Sequence, residues 1–193
     1  MATNEELYFS AKRRYNNACY EINNCNNKIN QLKSDKQKKS KEINQLKSDI
    51  KKVEKALEQI EKIVQKEESL TTKLKTIVDK TEAASANFSA MVSASSVTSK
   101  NLSEVYGTET TQTQQKLTSI MTTVRSKKRA LEEQLDDLKK KLKAAEDALE
   151  TINQQIRSKN SDLSDYKRIK YNASCDMAYY RRKLEEEGYP GPF

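Results

Sequence analysis

Histidine and tryptophan are absent from the sequence, and only three glycines and two prolines occur among its 193 residues. Without histidine, the chain lacks the usual general base near neutral pH and the commonest metal ligand, which excludes histidine triads, zinc sites and haem ligation. A single glycine, Gly107, and no proline precede residue 188, so almost nothing interrupts a helix there. We therefore expect an all-α protein that is not an enzyme and has no catalytic residue, cofactor or metal site.

Charged residues are abundant and mixed in sign. They make up 33% of the chain and apolar residues 35%, compared with about 25% and 45–50% in ordinary globular proteins. The formal net charge is +8, but in segments such as 47–55 the lysines alternate with Glu and Asp. That alternation is typical of a solvated helix with ion pairs between successive turns. Nucleic acid is therefore not expected as a partner of this basic protein.

No segment of the sequence directs the chain to a membrane. No apolar run approaches the ~18 residues that span a bilayer, and residues 1–6 do not begin the basic and then apolar pattern of a secretory signal peptide. A membrane is not expected as a partner. The expected location is the cytoplasm, unless a leaderless route exports the protein.

Two apolar seams with alternating spacings of three and four residues dominate the chain, and this is the heptad pattern of a coiled coil. The first seam consists of Tyr8, Ala11, Tyr15, Ala18, Ile22, Cys25, Ile29, Leu32, Lys36, Lys39, Ile43, Leu46, Ile50, Val53, Leu57 and Ile60. Its apolar set then restarts at Ile63 and continues through Leu70, Leu74 and Ile77, an inserted step of three residues that predicts a stammer. The second seam keeps one phase throughout and consists of Met121, Val124, Lys128, Leu131, Leu135, Leu138, Leu142, Ala145, Leu149, Ile152, Ile156, Lys159, Leu163, Tyr166, Lys170, Ala173, Met177, Tyr180 and Leu184.

The arrangement of the seams predicts one long antiparallel helical hairpin, a coiled coil over residues 1–187. Its arms are 4–82 and 116–187, joined by a Ser/Ala/Thr-rich region, 83–115, with the apex near residue 97. A disordered tail, 188–193, follows. The alternative is a three-helix arrangement with a turn near Gly107, because glycine weakens a helix by ~1 kcal/mol relative to alanine.

Irregular seam residues predict the register of the two arms. An apex near residue 97 sets Cys19 opposite Cys175 and Glu67 opposite Lys128, and it sets the polar gap at Lys36 and Lys39 opposite Lys159. Cys19 and Cys175 would then form a disulfide in an oxidising compartment and packed thiols elsewhere.

The tyrosines and several arginines are concentrated at the two ends of the chain, which meet in a hairpin. Tyr and Arg are enriched at the centres of protein interfaces, so this base is a candidate surface for a partner helix. The alternative is that the tyrosines only pack the end of the bundle. The candidate partner-binding residues are Arg14, Tyr15, Tyr171, Tyr180 and Arg181.

Apolar residues beside the seams provide a second reason to expect a partner. A single opposing helix cannot cover all the apolar flanks of such long helices, so another helix would bury them. Basic flanks would steer that helix if it were acidic. The flanking residues are Ile63, Val64, Ile77, Val78 and Ile169.

A repeat inside the first arm is the basis of a family resemblance. The heptapeptide Ile29–Asp35 recurs unchanged as Ile43–Asp49, and Lys/Glu-rich arms flank a Ser/Thr-rich centre. Over residues 28–156 this layout resembles the YwqH-like small helical proteins that are encoded beside LXG toxins of the bacterial type VII secretion system. More distantly, the chain is similar to the Esx hairpins, whose turn carries a Trp-x-Gly motif where this chain has Tyr106-Gly107.

The C-terminal export signature of such systems, Tyr-x-x-x-Asp/Glu, does not occur in that spacing. Tyr171 is followed by Asp176 and Tyr180 by Glu185, each one residue too far. The resemblance therefore implies a partner or targeting chaperone of a toxin.

Three functions from different classes agree with these features. The first is a helical interaction protein that binds partner helices, or a second copy of itself, through its stalk and base. The second is a structural coiled-coil spacer or self-assembling rod, and the third is a helical pore-forming toxin component that uses the small residues of 83–97. The single heptad slip and the irregular ends favour the first function, because a spacer would keep one repeat throughout.

Overall fold

Two long helices form almost all of the described chain. The computed structural model describes residues 2–91 and 96–191, with side chains for 2–84, 86, 87, 104 and 107–191. Helix α1 is Asn4–Met91, with 88 residues, and helix α2 is Ser96–Glu186, with 91 residues. No strand occurs in the described ranges. The predicted all-α fold, a hairpin of two helices, is confirmed.

The break between the helices lies slightly before the predicted apex. Helix α1 ends at Met91 and α2 begins at Ser96, so residue 97 already belongs to α2. The connecting residues, 92–95, lie outside the described part of the chain. The alternative turn near Gly107 is wrong, because Gly107 lies inside α2 and has no positive φ.

The Ser/Thr-rich region is helical wherever the structure describes it, beyond the arms predicted from the seams. Two threonine hydroxyls there donate to the backbone carbonyl four residues earlier, Thr111 to Gly107 at 2.8 Å and Thr113 to Glu109 at 2.8 Å. Such bonds satisfy the hydroxyl within the helix. With no proline present, the ~1 kcal/mol cost of one glycine does not end the helix.

The chain divides into two compact units. Unit 1 consists of Met1–Gln45 and Leu142–Phe193, and unit 2 is Leu46–Lys141. Within unit 1, Asn4 contacts Glu187 and Arg14 contacts Asp176. The numbering rises along one helix as it falls along the other, so the two helical segments of unit 1 are antiparallel.

Unit 2 shows the same antiparallel direction in its own contacts. Glu54 pairs with Lys139 at 3.6 Å, and Glu67 pairs with Arg125 at 3.2 Å.

Helix α1 begins with a capping box. The Thr3 hydroxyl accepts a hydrogen bond from the Glu6 amide at 3.2 Å, and the Glu6 carboxylate accepts one from the Thr3 amide at 2.8 Å. This reciprocal pair satisfies two amides at the helix N-terminus. Glu5 and Glu6 also place negative charge at the positive end of the helix dipole.

Helix α2 ends in a Schellman motif at the start of the tail that we predicted to be disordered. Gly188 has φ +72°, its amide donates to the Glu185 carbonyl, and the Tyr189 amide donates to the Leu184 carbonyl at 3.0 Å. A left-handed φ of this kind suits glycine. The Tyr189 hydroxyl then donates to the Glu5 carboxylate at 2.7 Å, so the tail contacts the first turn of α1.

Unit 1 contains most of the buried seam. Its buried apolar residues occupy the predicted heptad positions of both helices, and small residues allow the helices to approach closely. They are Tyr8, Ala11, Ala18, Cys25, Ile29, Leu32, Ile43, Ala145, Ala173 and Leu184.

The seam of α1 does not slip in unit 2, so the predicted stammer is wrong. After Ile60, the half-buried residues of α1 are Val64, Glu67, Thr71, Leu74, Val78 and Thr81, which continue the earlier heptad phase. A phase change in α1 alone would rotate its core face away from α2, whose seam has no slip. The continuous phase instead places the polar residues Glu67, Thr71 and Thr81 in the interface.

Candidate functional site

One flank of unit 2 is lined with ion pairs between the helices. The residues that directly follow a seam position contact the opposite helix: Glu54 pairs with Lys139, Glu61 with Lys128 at 3.3 Å, and Arg125 with Glu67. In an antiparallel pair, the positions after the second seam residue of each heptad lie on the same side of the interface. Charged side chains therefore cover this flank of the interface.

The opposite flank of unit 2 carries a line of exposed apolar side chains from α1. Ile63, Leu70 and Ile77 each directly precede a seam residue of α1 and are spaced seven apart, so they lie along one line of the helix. Their exposed fractions are 47%, 50% and 54%. We call these three residues the apolar row. The apolar spacing predicts that they belong to the seam, but they lie beside it.

Ile120 of α2 lies on the same side as the apolar row. It directly precedes the buried seam residue Met121 and is 59% exposed. The pairs Glu67–Arg125 and Glu61–Lys128 set the register of the two helices in unit 2. In that register, Leu70 of α1 lies level with residues 119–122 of α2. Both helices thus contribute large apolar side chains to one flank. Ile120 was not singled out in the sequence, although its place before a seam residue is the signal that finds it.

The flanking residues predicted beside the seam divide into two groups. Val64 and Val78 are half-buried members of the seam, so their prediction as uncovered flanks is wrong. Ile63 and Ile77 are exposed as expected, and Ile169 in unit 1 is 40% exposed. The continuous heptad phase explains the division, because it rotates each valine into the interface and each preceding isoleucine out of it.

Glu67 is a seam acid, as predicted, but its partner differs. Its side chain is only 15% exposed and pairs with Arg125, whereas Lys128 pairs with Glu61 and Glu132. The register therefore differs by about one helical turn from the predicted pairing of Glu67 with Lys128. This agrees with a break between the helices that precedes residue 97.

Two of the three lysines of the predicted polar gap pair with carboxylates of their own helices, and the third, Lys36, is exposed. Lys39 pairs with Glu42 at 2.6 Å, and Lys159 pairs with Asp162 at 2.7 Å. The hydrogen bond and charge of Asp162 raise the pKa of Lys159. The ammonium groups of Lys39 and Lys159 thus each keep a carboxylate partner at the edge of the seam.

The predicted Tyr/Arg base does not form one surface. Tyr15 and Tyr180 are half-buried seam residues, and Tyr171 is 69% exposed on the outer side of α2. Arg14 precedes a seam residue and pairs with Asp176 at 2.9 Å. Arg181 follows one and pairs with Glu185 at 2.9 Å, so the two arginines lie on different flanks.

Lys170 lies over the ring of Tyr15. Its ammonium lies 5.3 Å from the ring centroid, within the range of a cation–π contact. Tyr15 is therefore covered from within unit 1, which leaves less of its ring for a partner.

The three cysteines are free thiols in the structure, and the predicted disulfide between Cys19 and Cys175 is not formed. Cys25 is buried in the seam, whereas Cys175 is exposed on the outer face of α2. The Arg14–Asp176 contact sets Cys175 beside Arg14, about one turn from the level of Cys19. A disulfide needs Cα atoms within ~7 Å and Cβ atoms that face each other, so an outward-facing thiol one turn out of register disfavours it.

Three surface depressions of the described chain are open, and each is lined by residues of one helix. One in unit 2 is lined by Thr111, Gln114, Gln115, Thr118 and Ser119. Among the described residues, no three side chains of the His, Cys, Asp and Glu types are grouped to hold a metal ion. In the same residues, neither helix contains a stretch that is long and apolar enough to cross a bilayer.

Comparison with known proteins gives no match: no family model, no curated protein and no solved structure is significantly similar to this chain.

Proposed function

We propose that this protein is a non-enzymatic helical interaction protein that binds a helix of a partner along the apolar row of unit 2. The observation that carries the proposal is the exposure of Ile63, Leu70 and Ile77 beside a seam that other residues fill. Ile120 enlarges the same flank from α2. Exposed apolar patches of this kind are typical of interaction sites.

The thin core of unit 2 supports the proposal. Among the described residues, unit 2 buries three apolar side chains, Ile50, Val53 and Met121, whereas unit 1 buries ten. None of the buried residues of unit 2 lies in the segment 54–84 of α1 that carries the apolar row. A helix packed on the apolar row would bury the exposed parts of three large side chains at roughly 25 cal/mol per Å². Binding would thus supply unit 2 with apolar burial that its two helical segments do not provide.

The cellular role proposed for this binding follows from the family resemblance. On that basis, the partner is a helical segment of a type VII secretion toxin, and the protein acts as its partner or targeting chaperone. The resemblance is the basis for the cellular role, and the apolar row is the surface that would bind the toxin helix.

Co-expression with the products of neighbouring genes, followed by size measurement of the purified species, tests the proposal. We expect a complex of defined stoichiometry that is lost when the apolar row is replaced, in the triple variant Ile63→Gln, Leu70→Gln, Ile77→Gln. The matched control replaces three exposed apolar residues of unit 1, Tyr20→Gln, Ile169→Gln and Tyr179→Gln. A complex that survives the first variant and is lost in the control would refute the assignment of the site to unit 2.

A further inference from the structure

A row of lysines runs beside the apolar row. Each exposed apolar residue is followed three positions later by a lysine: Ile63 by Lys66, Leu70 by Lys73, and Ile77 by Lys80. Side chains three apart are neighbours on a helix surface. Lys66, Lys73 and Lys80 therefore form a second line with the same seven-residue spacing, which we call the lysine row.

The charges of the lysine row are not balanced by their surroundings. All three side chains are exposed, and none forms an ion pair with a residue in the described part of the chain. The positions three and four residues before and after each lysine contain no Asp or Glu. Several other lysines of α1 in unit 2 have an acidic residue one turn away: Lys52 pairs with Asp49, Lys62 pairs with Glu58, and Lys51 has Glu54 three positions later.

From this juxtaposition we infer that the apolar row binds an acidic amphipathic helix, whose apolar face covers Ile63, Leu70 and Ile77 and whose carboxylates pair with the lysine row. The inference rests on the proposed function and names the chemistry of the partner. Helix-in-groove recognition uses anchors at such spacings. Complementary charge beside the apolar contact would speed association and exclude basic helices.

The lysine row also argues against a second copy of this chain as the occupant. Two copies that met through their apolar rows would bring two lysine rows close together, and like charges at that distance repel. An acidic helix would instead pair its carboxylates with the ammonium groups of the lysine row. The charge pattern thus decides between two occupants that the apolar row alone would accept equally.

Two stapled peptides of three heptads each provide the probe. They share one Leu/Ala apolar face, and the positions flanking that face are Glu in one peptide and Lys in the other. Binding to the full-length protein is measured by fluorescence anisotropy. We expect the Glu peptide to bind at least about tenfold more tightly than the Lys peptide, since three exposed ion pairs replace three repulsive contacts.

Charge reversal of the lysine row gives the sharper test. In the triple variant Lys66→Glu, Lys73→Glu, Lys80→Glu, we expect the peptide preference to reverse. The matched control, Lys51→Glu, Lys55→Glu, Lys75→Glu, makes the same change of net charge with exposed lysines of unit 2 on other faces of α1. It should keep the preference for the Glu peptide, because general attraction by net charge changes equally in both variants.

The outcomes separate this inference from the proposed function. Equal binding of both peptides, lost in the Ile63→Gln, Leu70→Gln, Ile77→Gln variant, would overturn the acidic partner and leave the apolar row as a helix-binding site. Equal effects of the two lysine variants would also overturn it. Binding of neither peptide, or dimerisation of the free protein through the apolar row, would overturn it as well, while the co-expression experiment still judges the proposed function.

Discussion

Replacing adjacent residues on α1 with glutamine tests which of them faces the seam. Val64 is a half-buried seam residue, whereas the preceding Ile63 is 47% exposed. Full burial of a Val or Ile side chain contributes about 1.5–3 kcal/mol, and burial of an amide without a partner costs about 1–3 kcal/mol. Val64→Gln incurs most of both terms, so we expect it to lower the free energy of unfolding by about 2–4 kcal/mol.

Ile63→Gln should be much less costly, although isoleucine is the larger side chain. About half of its burial is lost, the new amide stays in water, and glutamine is a better helix former than isoleucine. We expect a loss below about 1 kcal/mol. Urea denaturation followed by far-UV circular dichroism measures both values, and Ile77→Gln with Val78→Gln repeats the comparison two heptads later.

The result that refutes this reasoning is a reversed order. If Ile63→Gln destabilised the protein as much as Val64→Gln, or more, the seam would slip after Ile60, and the apolar row would belong to the core. The proposed binding flank would then not exist.

Three further predictions concern the helix ends and the thiols. Gly107→Ala should raise the free energy of unfolding by up to ~1 kcal/mol, because alanine is the better helix former and the added methyl group contacts no atom within 4 Å. Gly188→Ala should lower the free energy of unfolding by ~1–2 kcal/mol, because Gly188 has a left-handed φ. Thermal melts of the two variants measure both effects. The hydrogen bond to Glu5 raises the pKa of Tyr189. This contact therefore stabilises the fold below the ordinary tyrosine pKa, and the stabilisation is lost as pH rises through the raised pKa. In an ultraviolet difference titration, Tyr189 should ionise at lower pH in the Glu5→Gln variant than in the unmodified protein. Cys175 should react with a thiol reagent faster than Cys25, and mild oxidation should yield no bond within the chain.

The pattern of the second arm was enough to predict the fold, because its seam is regular. Every member of that predicted seam is buried or half-buried, from Met121 to Leu184. The heptad spacing leaves only one face for a partner helix, and the scarcity of glycine and proline leaves few places for a turn. Sequence alone therefore determines the helical class and most of the interface.

The first arm shows where hydropathy misleads. Ile63, Leu70 and Ile77 are large and apolar, so the sequence pattern favours them over the polar Glu67 and Thr71 for the seam. In the structure, Glu67 and Thr71 lie in the seam and the three apolar residues lie beside it, because the heptad phase of α1 matches the continuous phase of α2. Matching the two seams to each other, and not reading each alone, would have identified the apolar row.

The register differs for a related reason. The predicted apex came from pairing unusual seam residues across the hairpin, such as Cys19 with Cys175 and Glu67 with Lys128, on the assumption that each faces another. In the structure, Lys159 is satisfied locally by Asp162 on its own helix, whereas Glu67 pairs across the interface with Arg125, one turn from the predicted lysine. Local ion pairs do not require a facing partner, so they carry little information on register.

The most direct measurement is the reactivity of a thiol placed in the apolar row, before and after a helix binds. The variant is Leu70→Cys, in a background where the three native cysteines are replaced by alanine, and Ser69→Cys on the outer face of α1 serves as the control. In the free protein, both thiols should react at similar rates, because both positions are exposed. Added Glu peptide should lower the reaction rate of the thiol at position 70 in proportion to occupancy. The reaction rate of the thiol at position 69 should stay unchanged. A thiol at position 70 that is already protected in the free protein, or that reacts equally fast in the complex, would contradict the proposed site.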